Sequence, residues 1–384
     1  MAPALPATAD VVIVGGGVIG TSIAFHLAEA GVRDVLLLER AALASGSTSR
    51  AAGGVRAQFS DELNIRIAVR SLDAFARFGG RPGWEIDLHQ VGYLFALTRT
   101  EHVEAFEQSV GLQNRLGVPS RMLTPDEVGV LNPLIRLDDV LAGAFCPLDG
   151  HATPEAVVQG YASGARAHGA TLVTDCEVDA IDVEDGEIRA VATSRGRVAT
   201  GTVVCAAGAW SRSLGALAGV ELDVTPLRRQ VLVTEAVPGL PATLPMTIDF
   251  ANGFYFHREG DGLLMGVSFD EQPGFKLEYD EGWLPELAEA IERRAPSLAS
   301  AGVRTGWAGL YEVSPDHNAL IGEAASASRF LYATGFSGHG FLQAPAVGEI
   351  VRDLVLRRDP FVDVAPLSAD RFSRGSARPE RNII

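Results

Sequence analysis

Four aliphatic residues, Val11-Val12-Ile13-Val14, run straight into Gly15-Gly16-Gly17. Such a run reads as a strand buried on both faces. Val18 to Ala30 then reads as a helix that Gly31 ends, and Val35-Leu36-Leu37-Leu38 as a second buried strand. Strand, helix, strand implies a parallel pair with a right-handed crossover. Gly15-x-Gly17-x-x-Gly20 falls in the first turn. There the first glycine permits the tight turn, the second lets a pyrophosphate approach the backbone, and the third lets helix pack on strand. Val18 and Ile19 open the helix, whose free N–H groups and positive dipole end favour phosphate. Glu39, 19 residues beyond Gly20, ends the second strand with Arg40 beside it. An acid there binds ribose hydroxyls, and it repels the 2′-phosphate of NADP. The fingerprint alone leaves NAD and FAD open. It occurs once, so a flavin held there would draw its electrons from an organic substrate.

Charge narrows the partners. Lys plus Arg is 32 against 48 for Asp plus Glu, a net of −16, which repels a nucleic-acid backbone and an anionic membrane surface. No apolar stretch approaches the ~20 residues of a membrane span. Cys146, Cys176 and Cys205 form no close pair and no metal-ligand spacing. No metal is expected, and a reducing, cytoplasmic setting fits.

Further along, Asp61 to Phe78 reads as an amphipathic helix, Thr124-Pro125-Asp126-Glu127 as a capping box, and Thr153-Pro154 as another helix start. Thr171-Leu172-Val173 and Ala190-Val191-Ala192-Thr193 read as strands around an acidic hairpin at Glu184-Asp185-Gly186. Thr202 to Ala206 is another buried strand. Arg229 to Ser268 alternates short strands with turns, as in an antiparallel sheet, and Trp283 to Arg294 reads as a helix. Phe330 to Thr334 is a strand leading through Gly335-Phe336-Ser337-Gly338-His339-Gly340 into a helix to about Arg357.

Two loops carry further chemistry. Gly46-Ser47-Thr48-Ser49-Arg50-Ala51-Ala52-Gly53-Gly54-Val55-Arg56 offers small residues for a flat ring, hydroxyls and N–H groups for phosphate, and an arginine. Gly338-His339-Gly340-Phe341 aims a helix N-terminus where negative charge develops on a reduced ring. A packed loop histidine is the alternative for His339.

Together these residues resemble the D-amino-acid oxidase-like FAD oxidoreductase superfamily over nearly the whole chain. The carriers are Val12 to Gly20 with Glu39-Arg40, Val203-Val204-Cys205-Ala206-Ala207-Gly208-Ala209-Trp210, and Gly335 to Phe341. Gly46-Ser47-Thr48 followed by Gly54-Val55-Arg56-Ala57-Gln58-Phe59 is most similar to the sarcosine oxidase and proline dehydrogenase β-subunit branch. The resemblance implies α/β plus α+β architecture: a doubly wound, Rossmann-like FAD domain interleaved with a substrate domain built on an antiparallel sheet. The expected FAD domain is 8–88, 142–224 and 305–373, the substrate domain 89–141 and 225–304, and 374–384 a flexible tail. The implied cofactor contacts are Gly15, Gly17, Val18, Ile19, Gly20, Glu39, Arg40, Gly46, Ser47, Thr48, Ser49, Gly53, Gly54, Val178, Ala207, Gly208, Gly338, His339, Gly340 and Phe341.

The implied reaction is oxidation of an amino-acid C–N bond by hydride transfer to flavin, with a secondary or N-methyl amino acid as substrate. Oxygen or another acceptor then takes the electrons. Three departures refine this. Where related sarcosine oxidases tether flavin through cysteine stands Gly309, so FAD is expected to be noncovalent. Where glycine oxidases grip the carboxylate with arginine stands Tyr311. Where an oxygen-activating lysine is found, Gly262-Leu263-Leu264-Met265-Gly266 is apolar, which favours a dehydrogenase. Arg56 is the expected carboxylate anchor, a structural salt bridge or a phosphate contact being the alternative. Tyr255, His257 and Tyr311 are candidates for the pocket wall, packed aromatics and a satisfied core histidine being the alternative. The alternatives are a D-amino-acid or glycine-type oxidase, the FAD subunit of a hetero-oligomeric dehydrogenase, a 2-hydroxy-acid dehydrogenase, and a non-catalytic flavin binder.

Overall fold

The computed structural model describes residues 4–269 and 271–383. The Val11–Val14 strand is buried throughout and lies between Val35–Leu38 and Val203–Cys205, parallel to both. It sits inside a six-stranded sheet ordered Leu320–Glu323, Phe330–Thr334, Val203–Cys205, Val11–Val14, Val35–Leu38, Thr171–Val173. Only the edge strand Leu320–Glu323 is antiparallel. Alternation along the first strand explains its unbroken apolar character. Val11 and Ile13 pack with the helices Val18–Glu29, Pro154–Ala167 and Gly340–Val355 on one face. Val12 and Val14 pack on the other face against a three-stranded meander, Val178–Glu184, Glu187–Thr193 and Gly196–Ala199. The acidic hairpin therefore pairs Glu187–Thr193 with Val178–Glu184, whereas the expected partner Thr171–Val173 joins the first sheet.

The second sheet has eight strands, ordered Val303–Val313, Thr225–Thr234, Gly262–Val267, Phe254–Glu259, Met246–Asp249, Tyr93–Leu97, Ala142–Cys146, Arg121–Leu123. It is mixed, because Met246–Asp249 runs parallel to Tyr93–Leu97. Residues 142–146 and 303–313 hydrogen-bond into this sheet, so the expected assignment of 142–224 and 305–373 to the other unit does not hold at those ends. One face packs on the helix Leu284–Arg294 through Leu287 and Ala290. The opposite face carries Phe95, Val231, Met246, Ile248 and Tyr255. The helix Thr100–Arg115 covers part of that face through Phe106 and Val110, and the rest looks toward the first sheet.

Local signals explain the helix ends. Asp61 caps Glu62–Ala76 by accepting from the N–H groups of Leu63 and Asn64, and Thr124 and Glu127 close the capping box of Pro125–Leu131. Within the expected flexible tail, whose last residue lies outside the described ones, residues 378–382 are instead tied to the body of the protein. Glu380 and Asn382 are buried, and the Glu380 carboxylate accepts hydrogen bonds from Ser60 and Asn64. No helix among the described residues is long and apolar enough to cross a membrane.

Candidate active site

A cavity of about 770 Å³ opens at the carboxyl ends of the first sheet's central strands and is roofed by the second sheet. That volume falls in the usual ~300–1,000 Å³ range of ligand sites. The glycine turn enters it for the expected reasons. Gly15 has φ +118°, and a Cβ there would collide with the Ala206 carbonyl oxygen; a Cβ on Gly20 would strike the Gly15 carbonyl oxygen. Gly17 caps the helix Val18–Glu29 and brings no side chain of its own, so apart from the Val18 N–H the helix end is left to an anion. The Val18 N–H donates to Thr48 Oγ1 at 3.1 Å, which draws the serine loop to the same end. Glu39 accepts from the N–H groups of Gly16 and Ala41 at 2.7 and 2.9 Å. A carboxylate keeps further lone pairs for ribose hydroxyls. Beyond it the Arg40 guanidinium lies 4.0 Å over the Trp210 ring.

All the residues expected to hold the cofactor line this cavity except Gly20 and Ser49. Gly20 serves helix packing. Ser49 sits inside the tight turn Thr48–Arg50, its N–H turned to the Ala44 carbonyl. The serine loop is laced to the roof: Ser47 Oγ donates to the Leu310 carbonyl at 2.6 Å and Arg50 Nη1 to that of Ala308 at 2.8 Å. Gly309, between them, offers no side chain for a flavin tether, and a Cβ there would stand 2.8 Å from that of Arg50. An open helix end, a ribose-matched carboxylate and a cavity running past both fit a dinucleotide.

At the other end stand Arg56, Arg229, Tyr255, Tyr311, His339 and Asn382. His339 is buried, and its Nε2 accepts from Arg56 Nη2 at 3.1 Å. Burial, then the adjacent Arg56 charge, holds its pKa well below the usual value. The ring is therefore neutral, with its proton on Nδ1. Burial raises the pKa of Tyr255 well above its ordinary value and that of Tyr311 in the same direction, so both phenols stay neutral. Gly338, at φ +93°, passes so close to Tyr311 that a Cβ would lie 2.6 Å from its ring.

The expected anchor Arg56 is largely engaged. Its Nη2 donates to His339 and, at 2.7 Å, to the Asn382 carbonyl, while Nη1 donates to the Gln58 carbonyl. With both Nη2 hydrogens taken, neither two-pronged edge of the guanidinium is free. His257 does not line the cavity. It is buried with its ring nitrogens 2.8 and 2.9 Å from the carbonyls of Arg258 and Ala52, and it packs on His151. Leu264 also lies off the cavity, in the apolar cluster with Tyr255 and Met246.

Arg229 belongs to no motif, yet it also lines the cavity. Its Nη1 donates to the Arg228 carbonyl at 3.2 Å, its Nε is buried without a partner, and its guanidinium sits 5.5 Å from the Tyr311 ring. The Nε/Nη2 edge thus remains for a carboxylate. The signal was present in Arg228-Arg229-Gln230, since neighbours in a strand face opposite ways. Arg228 pairs outward with Glu271, and Arg229 faces in. Glu312, also on the wall, was missed; its Oε2 accepts from Thr334 Oγ1 at 2.9 Å.

Residues 10–354 match the family described as DAO, FAD dependent oxidoreductase. The chain belongs to this family, and FAD is its cofactor. Mitochondrial dimethylglycine dehydrogenase of Rattus norvegicus is 31% identical over 387 residues, covering 95% of this chain and 45% of that protein. The chain thus spans about half the length of the curated relatives it matches. Among solved structures, an L-proline dehydrogenase from P. horikoshii superposes with TM-score 0.92 at 34% identity, over 97% of this chain and 100% of that one. A glycine oxidase from Geobacillus kaustophilus gives TM-score 0.85 at 27% identity, over 95% and 99%.

Proposed function

We propose that this enzyme oxidises the C–N bond of a small carboxylate-bearing amine, a secondary or N-methyl amino acid. The observation that carries the reading is Arg229, whose Nε is buried without a partner and whose guanidinium lies beside Tyr311 on the cavity wall. Similarity to a dimethylglycine dehydrogenase and to an L-proline dehydrogenase supports the substrate class. Arg229 takes the carboxylate two-pronged and fixes the orientation of the amine-bearing carbon. The two tyrosines and Met246 shape a water-poor wall around that carbon. FAD held in this cavity would supply the hydride acceptor, and the substrate's own nitrogen lone pair would close the C=N bond as the C–H electron pair leaves. The positive charges of Arg56 and Arg229 favour the neutral amine over ammonium, and only the neutral amine has that lone pair. Neutral His339 keeps Arg56 in place rather than moving a proton.

The test is an anaerobic screen for flavin bleaching with sarcosine, dimethylglycine, proline, glycine, D-amino acids and 2-hydroxy acids. Bleaching by the first three is expected. Bleaching by glycine or D-alanine alone would support a glycine-type or D-amino-acid oxidase. Bleaching by hydroxy acids alone would overturn C–N chemistry, and bleaching by none would overturn catalysis. Reoxidation by a dye but not by oxygen would mark a dehydrogenase, and bleaching without turnover would put the acceptor on a partner subunit. Arg229→Ala is expected to keep the flavin spectrum and lower kcat/KM about 30-fold to several thousandfold, from the ~2–5 kcal/mol of a severed charged contact. Unchanged kcat/KM would sink the anchor.

A further inference from the structure

Residues 378–382 are held by contacts that converge on one side chain. The Glu380 carboxylate accepts from Ser60 Oγ at 2.6 Å, the Ser60 N–H at 2.8 Å and Asn64 Nδ2 at 3.0 Å. The same carboxylate takes the N–H groups of Arg381 and Asn382 at 3.1 and 3.0 Å, which curls the chain into a tight turn. The backbone N–H groups of Arg378 and Glu380 are held by the side chain and carbonyl of Asp316. This turn delivers Asn382 to the cavity wall, where its carbonyl accepts from Arg56 at 2.7 Å. Asn382 is 1% exposed, yet its Nδ2 has no hydrogen-bond partner. A buried amide donor left unmatched carries the full loss of its hydration. An acceptor brought in by a ligand removes that loss.

We propose that the turn at 378–382 forms a fixed wall of the substrate chamber and that Asn382 Nδ2 donates to the substrate carboxylate, with Arg56 as its positioning residue. This rests on the reading that the chamber takes an amino-acid carboxylate. Asn382 then takes one carboxylate oxygen while Arg229 holds the group from the roof. The juxtaposition accounts for Arg56 as well: engaged on both Nη atoms, it braces the turn instead of gripping the ligand.

The probe is pyrrole-2-carboxylate, a planar analogue with no oxidisable C–H beside nitrogen. It is titrated into the FAD-loaded enzyme and followed by flavin absorbance, with KM and kcat for the best substrate measured in parallel. Asn382→Ala is expected to weaken probe binding about tenfold and to raise KM more than it lowers kcat, at unchanged FAD content. Asn382→Asp keeps the shape but opposes the ligand's charge, so it is expected to weaken binding more than alanine does. Equal affinity in the wild type and both variants, with Arg229→Ala weakened, overturns the role of Asn382 and spares the functional reading. Equal losses in both variants accompanied by loss of FAD make Asn382 structural and also overturn it. So does an altered flavin spectrum in ligand-free Asn382→Ala with affinity retained, which would put the amide on the ring. If the wild type binds neither probe nor substrate, the functional reading fails and this inference fails with it.

Discussion

Burial pushes the Glu312 carboxyl up to about 7, against the hydrogen bonds from Thr334 and from the backbone at Phe336 and Gly335. It is neutral below that pH and an anion above it. An anion on the cavity wall opposes an anionic substrate, so KM should rise as pH passes upward through about 7. A unit charge at cavity distances is worth about 1 kcal/mol when largely screened, roughly fivefold in KM. Glu312→Gln is expected to flatten that rise, and KM measured from pH 6 to 8.5 in both proteins checks it; parallel profiles would exonerate Glu312. The sequence shows such residues only in part. Glu39 is legible because a strand and a fixed spacing lead to it. Glu312 is not, since its burial depends on a roof strand docking over the Thr334 turn. Arg56 was legible as a cavity residue but not as one already engaged, because the segment that engages it lies far along the chain.

At the scale of elements, the turn into Gly340–Val355 sets the position of Tyr311. Gly338 has φ +93° and no room for a Cβ against that ring. Gly338→Ala must strain the turn and push Tyr311 into the chamber, at a cost of ~1–3 kcal/mol. The expected result is a lower Tm and a higher KM with FAD retained. A raised KM that Tyr311→Phe does not relieve but Tyr311→Ala does would identify the ring as the obstacle, whereas an unchanged KM would refute the link. Short periodic runs and glycine turns made most elements readable beforehand. That Thr171–Val173 pairs in the first sheet and not at the acidic hairpin is not legible, because a three-residue strand carries no mark of its partner. The segment 374–383 looked like a free tail because its buried groups are polar, satisfied by hydrogen bonds instead of apolar contact.

Across the whole molecule, the buried ion pair of Asp316 and Arg371 joins stability to the site. The two meet at 2.8 and 2.9 Å, both almost fully buried, and Asp316 also holds the 378–382 turn. Asp316→Ala leaves Arg371 buried and unpaired, which typically costs ~3–5 kcal/mol and lowers Tm by roughly 4–6 °C in a chain of this length. KM should rise along with it, since the turn that carries Asn382 loses an anchor. A fall in Tm with KM unchanged would show that the turn holds without Asp316.

The strand order has a consequence for how the protein is made. Val11–Val14 emerges first but takes its partner Val203–Cys205 much later, and that strand waits for Phe330–Thr334. Synthesis at ~5–20 residues per second leaves the N-terminal strand without its full sheet for roughly tens of seconds. The nucleotide crevice cannot form until the strand Phe330–Thr334 has emerged, so FAD can act as a template only after that point in synthesis. Flavin supply and chaperone capacity at that late moment, rather than translation speed at the first strand, should govern the yield of loaded enzyme.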